Sequence, residues 1–238
     1  MSAIPILCVS QLKIGDVVLS VGEGREADII SKKTECKYTH AAIVHSSGNV
    51  AEMTSEIAVS TPLSTYQEQF LYHAVFRQIS DWTSTQTESL QKFVNAEINA
   101  ESPYDKEGLK KFRVNLDNHL GHVLGKLRDY YAAKETATCP TRQSYTCSQF
   151  VASCFVATGH IVGDVAVVFN PDFCSVSELG DNGAYGAFVG FLEGNQPESL
   201  ASEDRYKYAA TREQIRSDIR QKSEQGAPCK NDSRVGDS

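Results

Sequence analysis

The stretch Tyr145-Thr146-Cys147-Ser148-Gln149-Phe150-Val151 begins an apolar helix with a thiol in its first turn. From there to Thr158, apolar residues recur at the i, i+3, i+4 and i+7 spacing of a helix face that packs into a core. The free N–H groups and positive dipole end of a helix start stabilise a thiolate, the reactive form of cysteine. Cys147 is therefore a candidate nucleophile, although buried cysteines often only pack, as we expect for Cys154.

A histidine lies at the start of an apolar strand upstream of this helix. The segment Tyr38-Thr39-His40-Ala41-Ala42-Ile43-Val44-His45 predicts the strand, and Ser46-Ser47-Gly48-Asn49 predicts a turn into Val50-Ala51-Glu52-Met53. The resulting hairpin places His40 beside Glu52. A carboxylate there would orient the imidazole and stabilise its protonated form, as the third member of a catalytic triad does. Considered singly, His40 is as readily a core histidine, and Glu52 a solvated strand residue.

These segments resemble the circularly permuted branch of the NlpC/P60 papain-like superfamily, the YiiX/YaeF-like proteins. In ordinary papain-like enzymes the cysteine precedes the histidine, whereas here His40 lies upstream of Cys147, as in the permuted branch. The resemblance covers about residues 12 to 192. Besides the segments quoted above, three motifs carry it: Ile14-Gly15-Asp16-Val17-Val18-Leu19, Ser102-Pro103-Tyr104-Asp105 and Asn170-Pro171-Asp172-Phe173-Cys174-Ser175-Val176-Ser177-Glu178-Leu179.

The resemblance implies an α+β, circularly permuted papain-like (NlpC/P60) fold, with a central antiparallel sheet packed on the nucleophile helix. It also implies that Cys147 is the nucleophile, His40 the general base and acid, and Glu52 the orienting residue. Two positions depart from the family pattern, since Glu101 stands where glycine is common and Gln149 replaces the usual acid. Both departures could alter contacts with the substrate.

The same residues support acyl transfer without the resemblance. A thiolate attacks a carbonyl carbon, His40 protonates the leaving group, and His40 then activates the water that releases the acyl group from Cys147. The backbone N–H of Cys147 is a natural donor to the oxyanion. Asp16, Tyr38 and Tyr145 are candidate substrate-binding residues. A strand-start turn for Asp16 and a packed aromatic side chain for Tyr38 are the structural alternatives.

Length, composition and charge limit the class of protein. The 238 residues, of which 41% are hydrophobic, suffice for one large domain with an ample core. The net charge of −7 argues against nucleic acid as the main partner, because phosphate binding needs a clustered positive surface. No apolar run approaches the roughly 20 residues of a spanning helix, and the first residues lack the features of a signal peptide. We therefore expect synthesis in the cytoplasm and no transmembrane segment.

The cysteines and histidines do not form a metal-binding pattern. Seven cysteines at irregular spacings favour free thiols over a secreted disulfide framework. Cys36, His40 and His45 have no C-x-x-C partner, and a strand would turn the two histidines to opposite faces. His119 and His122 could share a helix face, but two ligands do not make a zinc site. We expect neither a metal nor a cofactor.

The pattern of the chain predicts one catalytic unit with additions. Residues 1–195 form the predicted catalytic domain, and 196–238 a polar, partly disordered extension. Within the predicted catalytic domain, about residues 106–134 form a predicted helical insertion that could be a flap beside the active site or a core-packing helix pair. Further strands are predicted at Gly15–Val21, Ile57–Ser60, His73–Arg77 and Gly183–Leu192, and helices at Arg25–Lys33, Asp81–Asn99 and Asp204–Lys222.

The sequence thus predicts a cysteine hydrolase of amide bonds. The resemblance makes cell-wall (peptidoglycan) peptides with D-glutamyl or diaminopimelyl residues the leading substrates. An enzyme that hydrolyses the cell wall but lacks a signal peptide could be exported by a dedicated machine into the envelope of a target cell, as type VI secretion effectors are. Such an effector would have an immunity protein as its partner. One alternative is a lipid acyl hydrolase or acyltransferase, since the fold also resembles that of lecithin:retinol acyltransferase-like proteins and the helices of 106–134 could meet a lipid surface. The other is a binding module that has lost activity.

Overall fold

The computed structural model of the protein describes residues 5–110, 125–128, 131–132, 143–162, 164–196 and 204–206. Within these residues, seven strands form one sheet. The strands are β1 (Ile6–Leu7), β2 (Val17–Val21), β3 (His40–Ser46), β4 (Asn49–Met53), β5 (Ala58–Pro62), β6 (Tyr72–Arg77) and β7 (Ala187–Glu193). Their order is β1-β7-β6-β2-β3-β4-β5, and neighbours are antiparallel except β1 and β7. The central strand is therefore β2, and the hairpin of β3 and β4 lies beside it.

Helices connect and cover the strands. They are α1 (Arg25–Thr34), α2 (Leu63–Gln67), α3 (Ser84–Asn99), α4 (Cys147–Ala157), α5 (Asp164–Val168) and α6 (Val176–Asp181), with 3-10 turns at Val9–Gln11, Pro171–Phe173 and Gly183–Tyr185. Residues 106–110 and 125–128 are also helical. Among the helices described, none combines the length and the apolar character that crossing a membrane requires.

One face of the sheet packs against α3 and α4. The helix α3 buries Leu90 and Val94, which lie four positions apart on one side of the helix. The helix α4 is buried on all sides from Cys147 to Phe155, because the sheet, α3 and the segments around 171–181 enclose it. The single apolar face expected from its sequence is therefore only part of its contact surface. Each large apolar side chain buried here contributes roughly 1.5–3 kcal/mol to folding.

The opposite face of the sheet is covered by α2. Leu63 and Tyr66 of this helix pack against a second apolar cluster that includes Val18 and Val44. Because side chains alternate along a strand, His40 lies on the same face as Val44, whereas Ile43 belongs to the cluster under α4. His40 is thus the first residue of β3, and it lies beside α2 and next to the start of α4.

The structure is a mixed α+β fold, as the sequence indicates, but several boundaries differ. The final strand begins at Ala187, because Gly183–Tyr185 forms a 3-10 turn, in which the side chain of Asn182 accepts a hydrogen bond from the backbone N–H of Ala184. Gly186 then passes so close to the backbone of Arg77 that a Cβ atom would lie 2.6 Å from it. The predicted helical insertion at 106–134 and the helix at 204–222 lie largely outside the described residues.

Residues 204–206, which the sequence assigns to the polar extension, pack into the domain. The buried carboxylate of Asp204 accepts hydrogen bonds from the hydroxyls of Tyr38 at 3.0 Å and Tyr72 at 2.7 Å. Tyr206 stacks on Phe188 in the aromatic cluster of the core. These residues therefore belong to the folded unit.

Asp204→Ala is expected to destabilise the protein by about 3 kcal/mol, since it leaves two buried tyrosine hydroxyls without their acceptor. Urea unfolding of both proteins measures the difference. Asp81→Ala is the control, because Asp81 and its partner Lys13 are both exposed and such ion pairs contribute about 0–1 kcal/mol. Equal losses of stability in the two variants would contradict the anchoring role of Asp204.

Candidate active site

Cys147 is the first residue of α4, and its neighbours hold the helix start rigidly. The side chain of Thr146 accepts a hydrogen bond from the backbone N–H of Gln149, whose own Oε1 accepts from the backbone N–H of Thr146 at 2.9 Å. The hydroxyl of Ser148 donates to the carbonyl of Cys174 at 2.7 Å. This reciprocal capping arrangement leaves the thiol of Cys147 beside the unpaired N–H groups of the helix start.

Gln149 and Glu101, at which the sequence departs from the pattern that it resembles, both have structural roles. Gln149 is buried, and besides capping α4 its Nε2 donates to the carbonyl of Asp172 at 2.9 Å. It therefore stabilises the helix start instead of facing the substrate. Glu101 has a φ of 49°, in the left-handed region where glycine is preferred. The backbone conformation typical of glycine is thus retained at this position by a glutamate.

His40 and Glu52 lie side by side on the hairpin. Glu52 pairs across the strands with Ala42, so His40 lies two positions further along the same face. The Nε2 atom of His40 is 2.8 Å from Oε2 of Glu52. The other carboxylate oxygen accepts from the hydroxyl of Thr61 at 2.5 Å. Burial raises the pKa of Glu52, but the hydrogen bonds from His40 and Thr61 outweigh it, so this pKa is lowered and the group is a carboxylate.

The thiol of Cys147 lies next to the imidazole of His40, close enough for the interaction of the two groups to raise the pKa of His40. Because Nε2 is engaged by Glu52, Nδ1 is the nitrogen that remains for the sulfur. Burial lowers the pKa of His40, but its bonds to Cys147 and Glu52 outweigh burial and raise the pKa from 6.5 to about 10. The arrangement therefore keeps His40 protonated beside the sulfur of Cys147, and a cysteine and a histidine in contact are the pair that attacks carbonyl groups in thiol enzymes.

A cleft of about 500 Å³ opens beside His40 and Glu52. The helix α1 forms one wall with Glu26, Ile29 and Ile30, and the remaining wall residues include Met53, Phe70, Tyr104 and Leu109. Tyr104 and Ile30 also line the narrow recess that contains Cys147. The cleft and the recess are therefore adjacent, with Ile30 and Tyr104 in the wall of both.

Tyr104 is a candidate site residue to which the sequence analysis assigned no role. Its backbone is fixed, because its N–H donates to the carbonyl of Glu56 at 2.8 Å and it pairs with Tyr145. Burial and the negative charge on Cys147 raise its pKa, so the hydroxyl keeps its proton. Among the described residues, no side chain forms a hydrogen bond with this hydroxyl. The Pro103-Tyr104-Asp105 motif was the available signal, but a motif does not show which group the tyrosine faces.

The three candidate substrate-binding residues lie elsewhere. Asp16 is buried and forms a bidentate ion pair with Arg77, at 2.7 and 2.6 Å. Tyr38 is buried and bonded to Asp204, and Tyr145 packs against Phe150 in the core. Among the described residues that line the cleft, none of the three candidates occurs. Their observed contacts are with the fold.

Comparison with solved structures finds one similarity to report. The chain is similar to the crystal structure of the metalloprotein yiiX from Escherichia coli O157:H7, with 15% sequence identity and a TM-score of 0.43, over 81% of this chain and 94% of that chain. In the described part of this chain, no group of three or more histidine, cysteine, aspartate or glutamate residues could hold a metal ion. No protein-family model and no curated protein matches the sequence.

Proposed function

We propose that the protein is a cysteine hydrolase of amide bonds with a circularly permuted papain-like fold. The observation that carries the proposal is the position of His40, which lies next to the thiol of Cys147 and forms a hydrogen bond with the carboxylate of Glu52. A histidine that only packs in the core would need neither a thiol nor a carboxylate beside it. Here His40 and Glu52 line a cleft large enough for a substrate, and Cys147 lines a recess that shares Ile30 and Tyr104 with that cleft.

The mechanism follows from these positions. The thiolate of Cys147 attacks the carbonyl carbon, and the oxyanion is stabilised by the backbone N–H of Cys147 and by the hydroxyl of Tyr104. The imidazolium of His40 donates its proton to the leaving nitrogen as the C–N bond breaks, which leaves a thioester on the enzyme. Water then gives a proton to His40 and attacks the thioester. The carboxylic acid product departs, and the thiolate and imidazolium are restored.

Tyr104→Phe is expected to lower kcat by about 10- to 100-fold with little change in KM, because the lost hydroxyl bonds mainly to the transition state. Steady-state kinetics on the peptide substrate measure both constants. Alkylation of Cys147 by iodoacetamide serves as the control and should proceed at the wild-type rate, since it needs no oxyanion donor. An unchanged kcat would exclude Tyr104 as a donor.

Peptidoglycan peptides are the substrates that we propose. The support is the resemblance of the sequence to the permuted NlpC/P60 branch, and mass spectrometry provides the test. Purified peptidoglycan is incubated with the protein and with Cys147→Ala. New peptide fragments that appear only with the intact thiol would support the proposal and identify the bond. No fragments with either protein would contradict it.

A lipid acyl hydrolase or acyltransferase is the second candidate, and the cleft provides a specific observation in its favour. Apolar side chains dominate the walls beside His40, with Ile29, Ile30, Phe70 and Leu109 among them. An acyl chain would bury its methylene groups there, whereas the polar wall peptides would gain less. A phospholipid mixture tested in parallel, with the same Cys147→Ala control, distinguishes the candidates. Lysolipid or a transferred acyl group would favour the lipid reaction.

Export into a target cell envelope, with an immunity protein as partner, is a further part of the proposal. It is supported by the wall-directed resemblance. If it holds, the protein directed to the periplasm of a test bacterium should be toxic, and Cys147→Ala should not be. A neighbouring gene whose product relieves the toxicity would identify the immunity protein. Equal growth with both proteins would contradict an antibacterial role.

A further inference from the structure

A row of polar side chains crosses the sheet face that carries His40. Ser20 of β2 pairs with His40 on one side and with His73 of β6 on the other. Because residues directly opposite each other on antiparallel strands point to the same face, the three side chains lie side by side. His73 takes no part in the mechanism proposed above, and neither does Ser20. Their burial next to His40 calls for an explanation.

The hydrogen bonds in this row have a single direction. The Nε2 atom of His73 is 3.3 Å from the carbonyl of Gln67, which can only accept, so Nε2 carries the proton. Burial and the charge of His40 lower the pKa of His73 to about 4, so the ring is neutral and Nδ1 is an acceptor. Ser20 lies 2.8 Å from Nδ1 and therefore donates to it, which leaves Tyr66, also at 2.8 Å, as the donor to Ser20. Tyr66 and His73 are thus held in fixed orientations.

These two anchored rings enclose Phe70. The ring of Phe70 lies 5.1 Å from that of Tyr66 and 5.7 Å from that of His73, between centroids. On its remaining face it stacks on His40, at 5.2 Å and with 13° between the ring planes. Phe70 is also part of the cleft wall. The imidazole is therefore held by its two nitrogens and by one face.

We propose that Phe70 is a positioning residue for His40. Its ring fixes the imidazole in the one orientation that serves Glu52 and Cys147 together. The negative face of an aromatic ring also attracts a cation, so the stack favours imidazolium over imidazole. The chain from Tyr66 through Ser20 to His73 keeps Phe70 in place. This inference rests on the Cys147–His40 pair of the proposed function, and it is independent of which substrate is cleaved.

The test is an NMR titration of the histidine rings, which needs no substrate. The protein has six histidines, and the signal absent from His40→Gln identifies His40. The charged and titratable groups that face His40 are Cys147 from α4, Glu52 from β4, Tyr66 from α2 and His73 from β6. None of them is changed in Phe70→Leu. We expect Phe70→Leu to lower the titration midpoint of the His40 ring by about 0.4 to 0.7 pH units, which corresponds to the free energy of an exposed cation–π contact.

Further variants make the outcome decisive. Phe70→Tyr keeps the ring and should restore the wild-type midpoint, while Phe70→Met is a second ring-free variant should Phe70→Leu fold poorly. Phe188→Leu is the matched control, because Phe188 stacks on Tyr206 in the core, and the midpoint of His40 should not move. An unchanged midpoint in both ring-free variants would overturn the positioning role. A wild-type midpoint near 6.5 would instead overturn the thiolate–imidazolium pair and, with it, this inference.

Discussion

Cys147→Ala is expected to reduce kcat/KM for the cleaved substrate by at least about 10³-fold, leaving only what binding and the oxyanion donors contribute. The reason is chemical, because alanine cannot form the thioester, and His40 and Glu52 are left without a nucleophile to activate. The fold should persist, since alanine fits the first turn of a helix well. Product formation followed by mass spectrometry, with circular dichroism to confirm folding, measures both effects.

Cys154→Ala provides the matched control for this prediction. Cys154 lies on the same helix and is equally free of disulfides, but it is buried away from the cleft. Its loss should cost about 1 kcal/mol or less of stability and leave the rate unchanged. Comparable losses of activity in the two variants would indicate that the helix matters only as packing. Full activity of Cys147→Ala would exclude a thiol mechanism.

His40→Gln is expected to lower the rate at which iodoacetamide alkylates Cys147 at pH 6.5 by up to about 100-fold. The thiolate is the form of cysteine that is alkylated, and a positively charged imidazole beside the sulfur favours that form, so its removal should slow the reaction. Peptide mapping after brief labelling measures the rate at this one cysteine. His45→Gln is the control, because His45 bonds to Ser60 and should not affect the thiol.

The pH dependence of catalysis follows from the same pair. The pKa of His40 is raised from 6.5 to about 10 in the folded protein, so the stabilisation of the pair is fully present below 6.5 and is lost as the pH rises through about 10. The proton that His40 gives to the leaving group is lost over the same range. We therefore expect the alkaline limb of kcat/KM to fall near pH 10. A limb near 6.5 would show that His40 does not form the ion pair.

The fall of kcat/KM at low pH depends on Glu52. Its pKa is lowered in the folded protein, so its contribution is present above 4.5 and is lost as the pH falls through the depressed value. The group that orients the imidazole is therefore ionised from this low pH up to the alkaline range in which His40 loses its proton.

The parts of the site that local pattern determines could be predicted. The alternation of residues in the two strands and the turn between them put His40 and Glu52 on one face. The placement of Cys147 at a helix start follows from a threonine cap and the apolar spacing after it. The mixed α+β class follows from the same periodicities.

The surroundings of the site depend on contacts that no local pattern shows. Asp16 looks available next to its strand, but it is neutralised by Arg77, 61 residues away along the chain. Tyr38 bonds to Asp204, which lies 166 residues further on. Phe70 follows a short helix and has no sequence signal for its stack on His40. Only the folded sheet brings these groups together.

The turn between β3 and β4 limits how this protein can change in length. Only Ser47 and Gly48 connect the strands, and Gly48 has a φ of 83° that glycine adopts without strain. Surface loops commonly accept inserted residues at little cost. One residue inserted here would shift the pairing by a single position and turn Glu52 to the opposite face from His40. Insertions compatible with activity are therefore confined to other loops, and this turn can vary in composition but not in length.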